Sequence, residues 1–281
     1  MSETTQAPFT LADGLGLAVY DWPLPQRPRA VVLVVHGLGE HAWRYDPLAQ
    51  RLNAWGFCVR AYDQRGHGES GGARGVIPSD TALLDDLAEV VDDTRHHIAQ
   101  PWECPLILLG HSMGGLVASA FVLRHRAPVD GLVLSSPALD AGIGPWQKKL
   151  IRWLYRWAPN LTLSNGLDAS HISHNPRVVA AYKKDRLVHD RISARLAHFI
   201  DSHGPQVVAA APCWHVPTLL LYAGADRLVS ANGSRAFAAM APPGHVTSRC
   251  FDGLYHEIFN EQDPSVVYGT LKAWLRLRAP A

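Results

Sequence analysis

Short runs of Val, Leu and Ile recur along most of the chain, each closed by a turn signal and followed by a longer stretch of helical periodicity. A strand buried on both faces reads as a continuous apolar run, so this alternation predicts parallel strands covered by helices. The expected strands are Val31–Val35, Phe57–Tyr62, Leu106–Leu109, Leu132–Leu134 and Thr218–Tyr222, with Val246–Phe251 as the last. Phe9–Leu11 and Leu17–Trp22 flank Asp13-Gly14 and predict an opening hairpin. Helical spacing runs over Thr81–Ile98, Leu116–His125, Gly233–Met240 and Ser265–Arg276.

The alternation stops after Pro137 and resumes near Pro217. The stretch between has helical patterns and no convincing strand. It reads as a helical cap, residues 140–214, inserted into a core made of residues 1–139 and 215–281. Within it, Trp146, Leu150, Trp153, Leu154 and Trp157 share one helical face, while Lys148, Lys149, Arg152 and Arg156 gather opposite. Such a helix is expected to pack its tryptophans on the body. Tryptophans beside basic residues also suit a lipid interface, and the two roles are compatible.

Composition narrows the class. With 47% hydrophobic and 18% charged residues, the 281-residue chain has ample material for one large core. A net charge of +1 creates no field to gather nucleic acid, so any membrane affinity has to be local. The polar start Met1–Gln6 lacks the basic and then apolar run of a signal peptide, and no apolar stretch approaches the roughly 20 residues of a membrane span. A cytoplasmic protein is expected. Cys58, Cys104, Cys213 and Cys250 have neither metal-type nor redox-type spacing and read as small core residues.

Candidate chemistry centres on Gly110-His111-Ser112-Met113-Gly114, between an apolar strand and a helical pattern. In that context G-x-S-x-G predicts a nucleophile elbow, with glycines where β-carbons would collide as strand turns into helix. A serine hydroxyl is a poor nucleophile at neutral pH. It needs a base, and the base needs an acid group to fix its tautomer. Asp226 follows the Thr218–Tyr222 strand and His256 follows the last one, giving the chain order Ser, Asp, His. Asp140, after the preceding strand, competes for the acid role. Among fifteen histidines, position after the final strand singles out His256.

The charge that develops on an attacked carbonyl needs donors already in place. The amide after the nucleophile, Met113, is one, and the glycine-rich His36-Gly37-Leu38-Gly39-Glu40 after the Val31–Val35 strand offers Leu38 as the other. Asp63–Ser70 is rich in reactive side chains but reads mainly as a structural turn. His256-Glu257-Ile258-Phe259-Asn260 fails the zinc pattern H-E-x-x-H at its last position, and His171 and His174 lack a further ligand. No metal and no cofactor is expected.

Taken together, these residues resemble the monoacylglycerol lipase and lysophospholipase branch of the α/β-hydrolases. The likeness rests on His36–His41 with Arg44-Tyr45, Asp63–Ser70, Gly110–Gly115, Ala225-Asp226 and Tyr255-His256-Glu257, in the family's order and spacing. It implies an α/β-hydrolase fold, a triad of Ser112, Asp226 and His256, an oxyanion hole from the amides of Leu38 and Met113, and a mobile cap over an acyl pocket. Tyr182, in Ala180–Leu187, takes the place of a family tyrosine that helps bind the glycerol leaving group. Arg186 stands where the family usually has proline. Glu40 and Arg44 are expected to pair and support the oxyanion loop. The substrate implied is a monoacylglycerol; the alternatives are a lysophospholipid, a small soluble ester, or ligand binding without chemistry.

Overall fold

The computed structural model describes residues 5–279. Its strands are β1 (Thr5–Thr10), β2 (Gly16–Trp22), β3 (Val31–Val35), β4 (Cys58–Tyr62), β5 (Leu106–His111) and β6 (Gly131–Ser135). Two short ones, β7 (Thr162–Ser164) and β8 (Arg191–Ser193), precede β9 (Thr218–Ala223) and β10 (Val246–Phe251). The α-helices are α1 (Asp46–Ala54), α2 (Ala82–Thr94), α3 (Met113–Leu123), α4 (Pro145–Trp157), α5 (Pro176–Lys184), α6 (Ala194–Ala209), α7 (Ala231–Met240) and α8 (Ser265–Arg278).

Eight strands form one sheet in the order β1-β2-β4-β3-β5-β6-β9-β10. The hairpin pairs Phe9 with Leu17, and β2 joins β4 antiparallel; every later pairing is parallel. Each central strand sends alternate residues to opposite faces. Val31, Leu33 and Val35 pack with α2, α3, α6 and α7 in one core, while Val32 and Val34 pack with α1 and α8 in the other. This is the α/β-hydrolase layering, with a mostly parallel sheet between helices.

Several expectations need correction. Helix α1 was not anticipated, because only Leu48, Ala49 and Leu52 face the core and its start is marked by little more than Pro47. The inserted segment does contain strands: β7 and β8 pair antiparallel, but three residues each are too few to show a period. Helix α6 is the root of that segment, with Leu196, Phe199 and Val207 in the same core as α3. Of the cysteines only Cys58 is buried; Cys104 and Cys250 are half-buried and Cys213 is exposed.

The tryptophan stripe of α4 does not pack on the body. Trp146, Trp153 and Trp157 are 70%, 60% and 70% exposed, and the helix has no buried residue. Polar anchors on another face hold it instead. Lys148 Nζ lies 3.1 Å from Asp201, and Tyr155 donates to Asp80 while its ring stacks on His198 at 4.1 Å.

Candidate active site

Parallel register brings the carboxyl ends of the central strands to one edge. Val35 pairs with Gly110, His111 with Ser135, Ser135 with Leu221, and Tyr222 with Cys250. The loops after β3, β5, β9 and β10 therefore emerge together, which is how residues far apart in sequence meet.

Ser112 sits between β5 and α3 with φ +54° and ψ −121°, a left-handed region costly for a side-chain-bearing residue. The flanking glycines are required for two different reasons. A β-carbon on Gly110 would lie 2.5 Å from the Gly114 carbonyl across the turn. One on Gly114 would lie 2.1 Å from the Val35 carbonyl, so the elbow is also pressed against the end of β3. The main chain of Ser112 is held by Ser135, whose carbonyl accepts its N–H at 3.0 Å, and by the Ala138 N–H, which donates to its carbonyl at 2.9 Å.

His256 is buried, and its Nδ1 meets Asp226 Oδ2 at 2.6 Å. Asp226 Oδ1 accepts the amides of Leu228 and Val229 at 2.9 and 3.1 Å. Burial alone would raise the Asp226 carboxyl; attraction to His256 and these hydrogen bonds outweigh it and hold the carboxyl below its usual range. For His256, burial opposes charge, but Asp226, then Glu257 and Glu40, raise it above the ordinary histidine value. It is Asp226 that meets His256, while the Asp140 carboxylate accepts the nearby Gly142 amide at 3.0 Å. Ser112 and His256 line the same cavity, and among the described residues no hydrogen bond yet joins them, a looseness common before substrate binds.

Leu38 lines the cavity with Ser112 and Met113 follows Ser112 in the chain; neither amide finds an acceptor among the described residues. The Leu38 loop is tightly specified. The Gly37 N–H donates to Glu40 Oε1 at 2.6 Å, and a β-carbon there would sit 3.2 Å from that of Ser112. Glu40 pairs with Arg44 and accepts from Tyr45 at 2.7 Å. Arg44 then reaches Glu257 with two bonds of 2.8 and 2.9 Å. One guanidinium thus joins the loop after β3 to the loop that carries His256. In the sequence Glu257 stands in a zinc motif that fails and in the family-like run Tyr255-His256-Glu257; its pairing with Arg44 was not expected. His111 was also overlooked: its ring lies 4.7 Å from that of His256, and burial lowers it to about 4, keeping it neutral.

The Asp63–Ser70 turn spends its polar groups internally, Asp63 accepting Ala42 and Glu69 amides at 2.7 Å each and Arg65 gripping Asp86. His171 faces Arg227 at 3.2 Å, and His174 faces Glu261 at 2.9 Å.

The cavity over Ser112 measures about 230 Å³, and Leu38, Leu167, Ile172, Val188 and Leu228 contribute apolar wall. Tyr182, half-buried on α5, joins the lining with its ring over Arg44 at 4.6 Å. Arg186 is exposed beyond the helix end. Asp185 receives His41 at 2.8 Å, and the His189 N–H donates to Gly39 at 2.9 Å, so this part of the inserted segment rests on the loop after β3. Among the described residues no helix is long and apolar enough to cross a membrane.

The family model described as serine aminopeptidase, S33, matches residues 26–263. The monoacylglycerol lipase of Mycolicibacterium smegmatis is 37% identical over 265 residues, covering 92% of each chain. The human monoglyceride lipase is 31% identical, covering 95% of this chain and 89% of that protein. Among solved structures, the Paleococcus ferrophilus monoacylglycerol lipase superposes with a TM-score of 0.80 at 32% identity, over 99% of this chain and 100% of that one. The chain belongs to this family of α/β-hydrolases, is a serine ester hydrolase by that membership, and stands among its monoacylglycerol lipase-like members.

Proposed function

We propose that the chain hydrolyses monoacylglycerols to fatty acid and glycerol, with Ser112 as nucleophile, His256 as general base and Asp226 as its orienting acid. The observation that carries this reading is the Asp226–His256 pair, whose histidine lines the same cavity as Ser112 and Leu38. His256 Nε2 takes the Ser112 proton, and Ser112 Oγ attacks the ester carbonyl. The amides of Leu38 and Met113 receive the oxyanion. His256 then hands the proton to the departing glycerol oxygen, and water, activated by the same ring, releases the fatty acid. Asp226 stays ionised throughout, and no cofactor takes part.

Tyr182 borders the leaving-group side. Of the carboxylates around the cavity, Glu40 and Glu257 are engaged by Arg44 and Asp185 by His41, while Asp190 lies exposed, 3.5 Å from Arg191. The segment 140–214 serves as the cap, with α6 as its root. It carries ten of the 26 Lys and Arg but five of the 25 Asp and Glu, and it presents the α4 tryptophans outward. Both features suit peripheral contact of a cytoplasmic protein with a lipid surface.

The cavity favours one second reading. At about 230 Å³ it is smaller than the roughly 300–1,000 Å³ of drug-sized ligand sites, so a long acyl chain requires the cap to yield. A short-chain carboxylesterase has no such need. Purified protein should release fatty acid from monoacylglycerols faster than from lysophosphatidylcholine or 4-nitrophenyl acetate. Cleavage of the acetate with no release from monoacylglycerols of any chain length would replace the first reading by the second.

A further inference from the structure

Glu261 lies five positions after His256, outside the cavity, with its carboxylate almost wholly buried. A buried carboxylate is costly unless donors surround it. Here Oε1 accepts the Tyr255 N–H at 2.7 Å and meets His174 Nδ1 at 2.9 Å, and Oε2 accepts the His174 N–H at 3.1 Å. One of those donors directly precedes His256 in the chain; the others belong to the cap. Around this carboxylate the two segments are stitched further. The Glu257 N–H donates to the Ile172 carbonyl at 2.8 Å, Ser173 Oγ to Asn260 at 2.9 Å and Gln262 Nε2 to the His174 carbonyl at 2.9 Å. The Tyr255 ring stacks on His174 at 3.6 Å and carries Arg227, the residue after Asp226, at 5.3 Å.

We infer that Glu261 is a positioning residue, which fixes the main chain entering His256 and ties it to cap residues 172–175, so that seating of the cap sets the reach of His256 toward Ser112. This rests on His256 being the general base. It also divides the cap. Residues 172–175 stay with the histidine loop, whereas α4, with no buried residue, is held apart from it by the Lys148 and Tyr155 contacts. A shift of about 1 Å in a catalytic group can cost on the order of 100-fold, so loosening this anchor should register in turnover.

The test uses the full chain. In Glu261→Gln the side chain keeps an acceptor for the Tyr255 N–H but turns an NH2 toward the His174 amide. With 4-nitrophenyl acetate, kcat should fall about tenfold while KM stays within about twofold, and labelling by a fluorophosphonate should slow by the same factor. His174→Ala, altered from the half-exposed side, should lose about threefold, and the double variant should be no slower than Glu261→Gln alone. Unchanged kcat in both variants, a loss confined to KM, or fully additive losses would overturn the proposal. If Glu261→Gln fails to fold, as thermal melting would reveal, an unchanged kcat in His174→Ala overturns it alone. Ser112→Ala serves as the control: activity surviving there would count against the reading of the site itself, whatever Glu261 does.

Discussion

The carboxyl edge of the sheet and the inserted segment proposed as its cap are built on opposite principles. At the edge, the side chains of His256 and Asp226 are buried against each other, and glycines around Ser112 are forced by contacts of 2.1 and 2.5 Å. In the cap, α4 and α5 have no buried residue, and α4 hangs on contacts such as Tyr155–Asp80 and Lys148–Asp201. Acyl transfer needs reacting atoms held close to their final geometry, whereas admitting a fatty chain needs a wall that yields. Residues 172–175 join the two regimes through Glu261, as Asp185 and His189 do through the loop after β3.

That contrast can be broken in order of effect. Asp226→Asn should lower kcat by about 10,000-fold, since the ring loses the partner that fixes its tautomer; steady-state kinetics would expose a smaller loss. In the wild type, the acid limb of kcat/KM should fall at a midpoint above 6.5, because His256 is raised and must be neutral to act as base. A midpoint below 6.5 would contradict the electrostatics drawn around it.

Glycines sharpen the same comparison. Gly114→Ala drives a β-carbon into the Val35 carbonyl and should destabilise by about 3 kcal/mol or more. Gly166→Ala, in open space within the cap at φ +70°, should cost only about 1 kcal/mol from its backbone conformation. Denaturant unfolding of the two variants would show whether edge and cap differ as described. Replacing Trp146, Trp153 and Trp157 by Ser should leave 4-nitrophenyl acetate hydrolysis unchanged and lower hydrolysis of vesicle-borne monoacylglycerol about tenfold. Equal loss on both substrates would mean the stripe supports the fold instead. The smallest effect is expected from Tyr155→Phe, about 1 kcal/mol at most, read by the same unfolding method.

The sheet was legible because its strands are continuous apolar runs closed by turn residues, and β3 and β10 fall on the residues the pattern marks. Ser112, Asp226 and His256 were singled out because each follows such a run in chain order, and the structure brings Ser112 and His256 to one cavity and Asp226 to His256. What escaped depends on contacts that periodicity does not carry. The orientation of α4 was misjudged because an apolar stripe ordinarily packs inward, while Lys148 and Tyr155 turn it the other way. The contacts of Glu257 with Arg44 and of Glu261 with His174 join residues far apart in the chain and leave no mark in its spacing. The strands β7 and β8 are too short to show any repeat.

The most direct test of the account is the site of covalent capture. Fluorophosphonate treatment followed by peptide mass spectrometry should place one adduct on Ser112 in the wild type and none in Ser112→Ala. An adduct elsewhere, or ester hydrolysis persisting in that variant, would contradict Ser112 as the nucleophile.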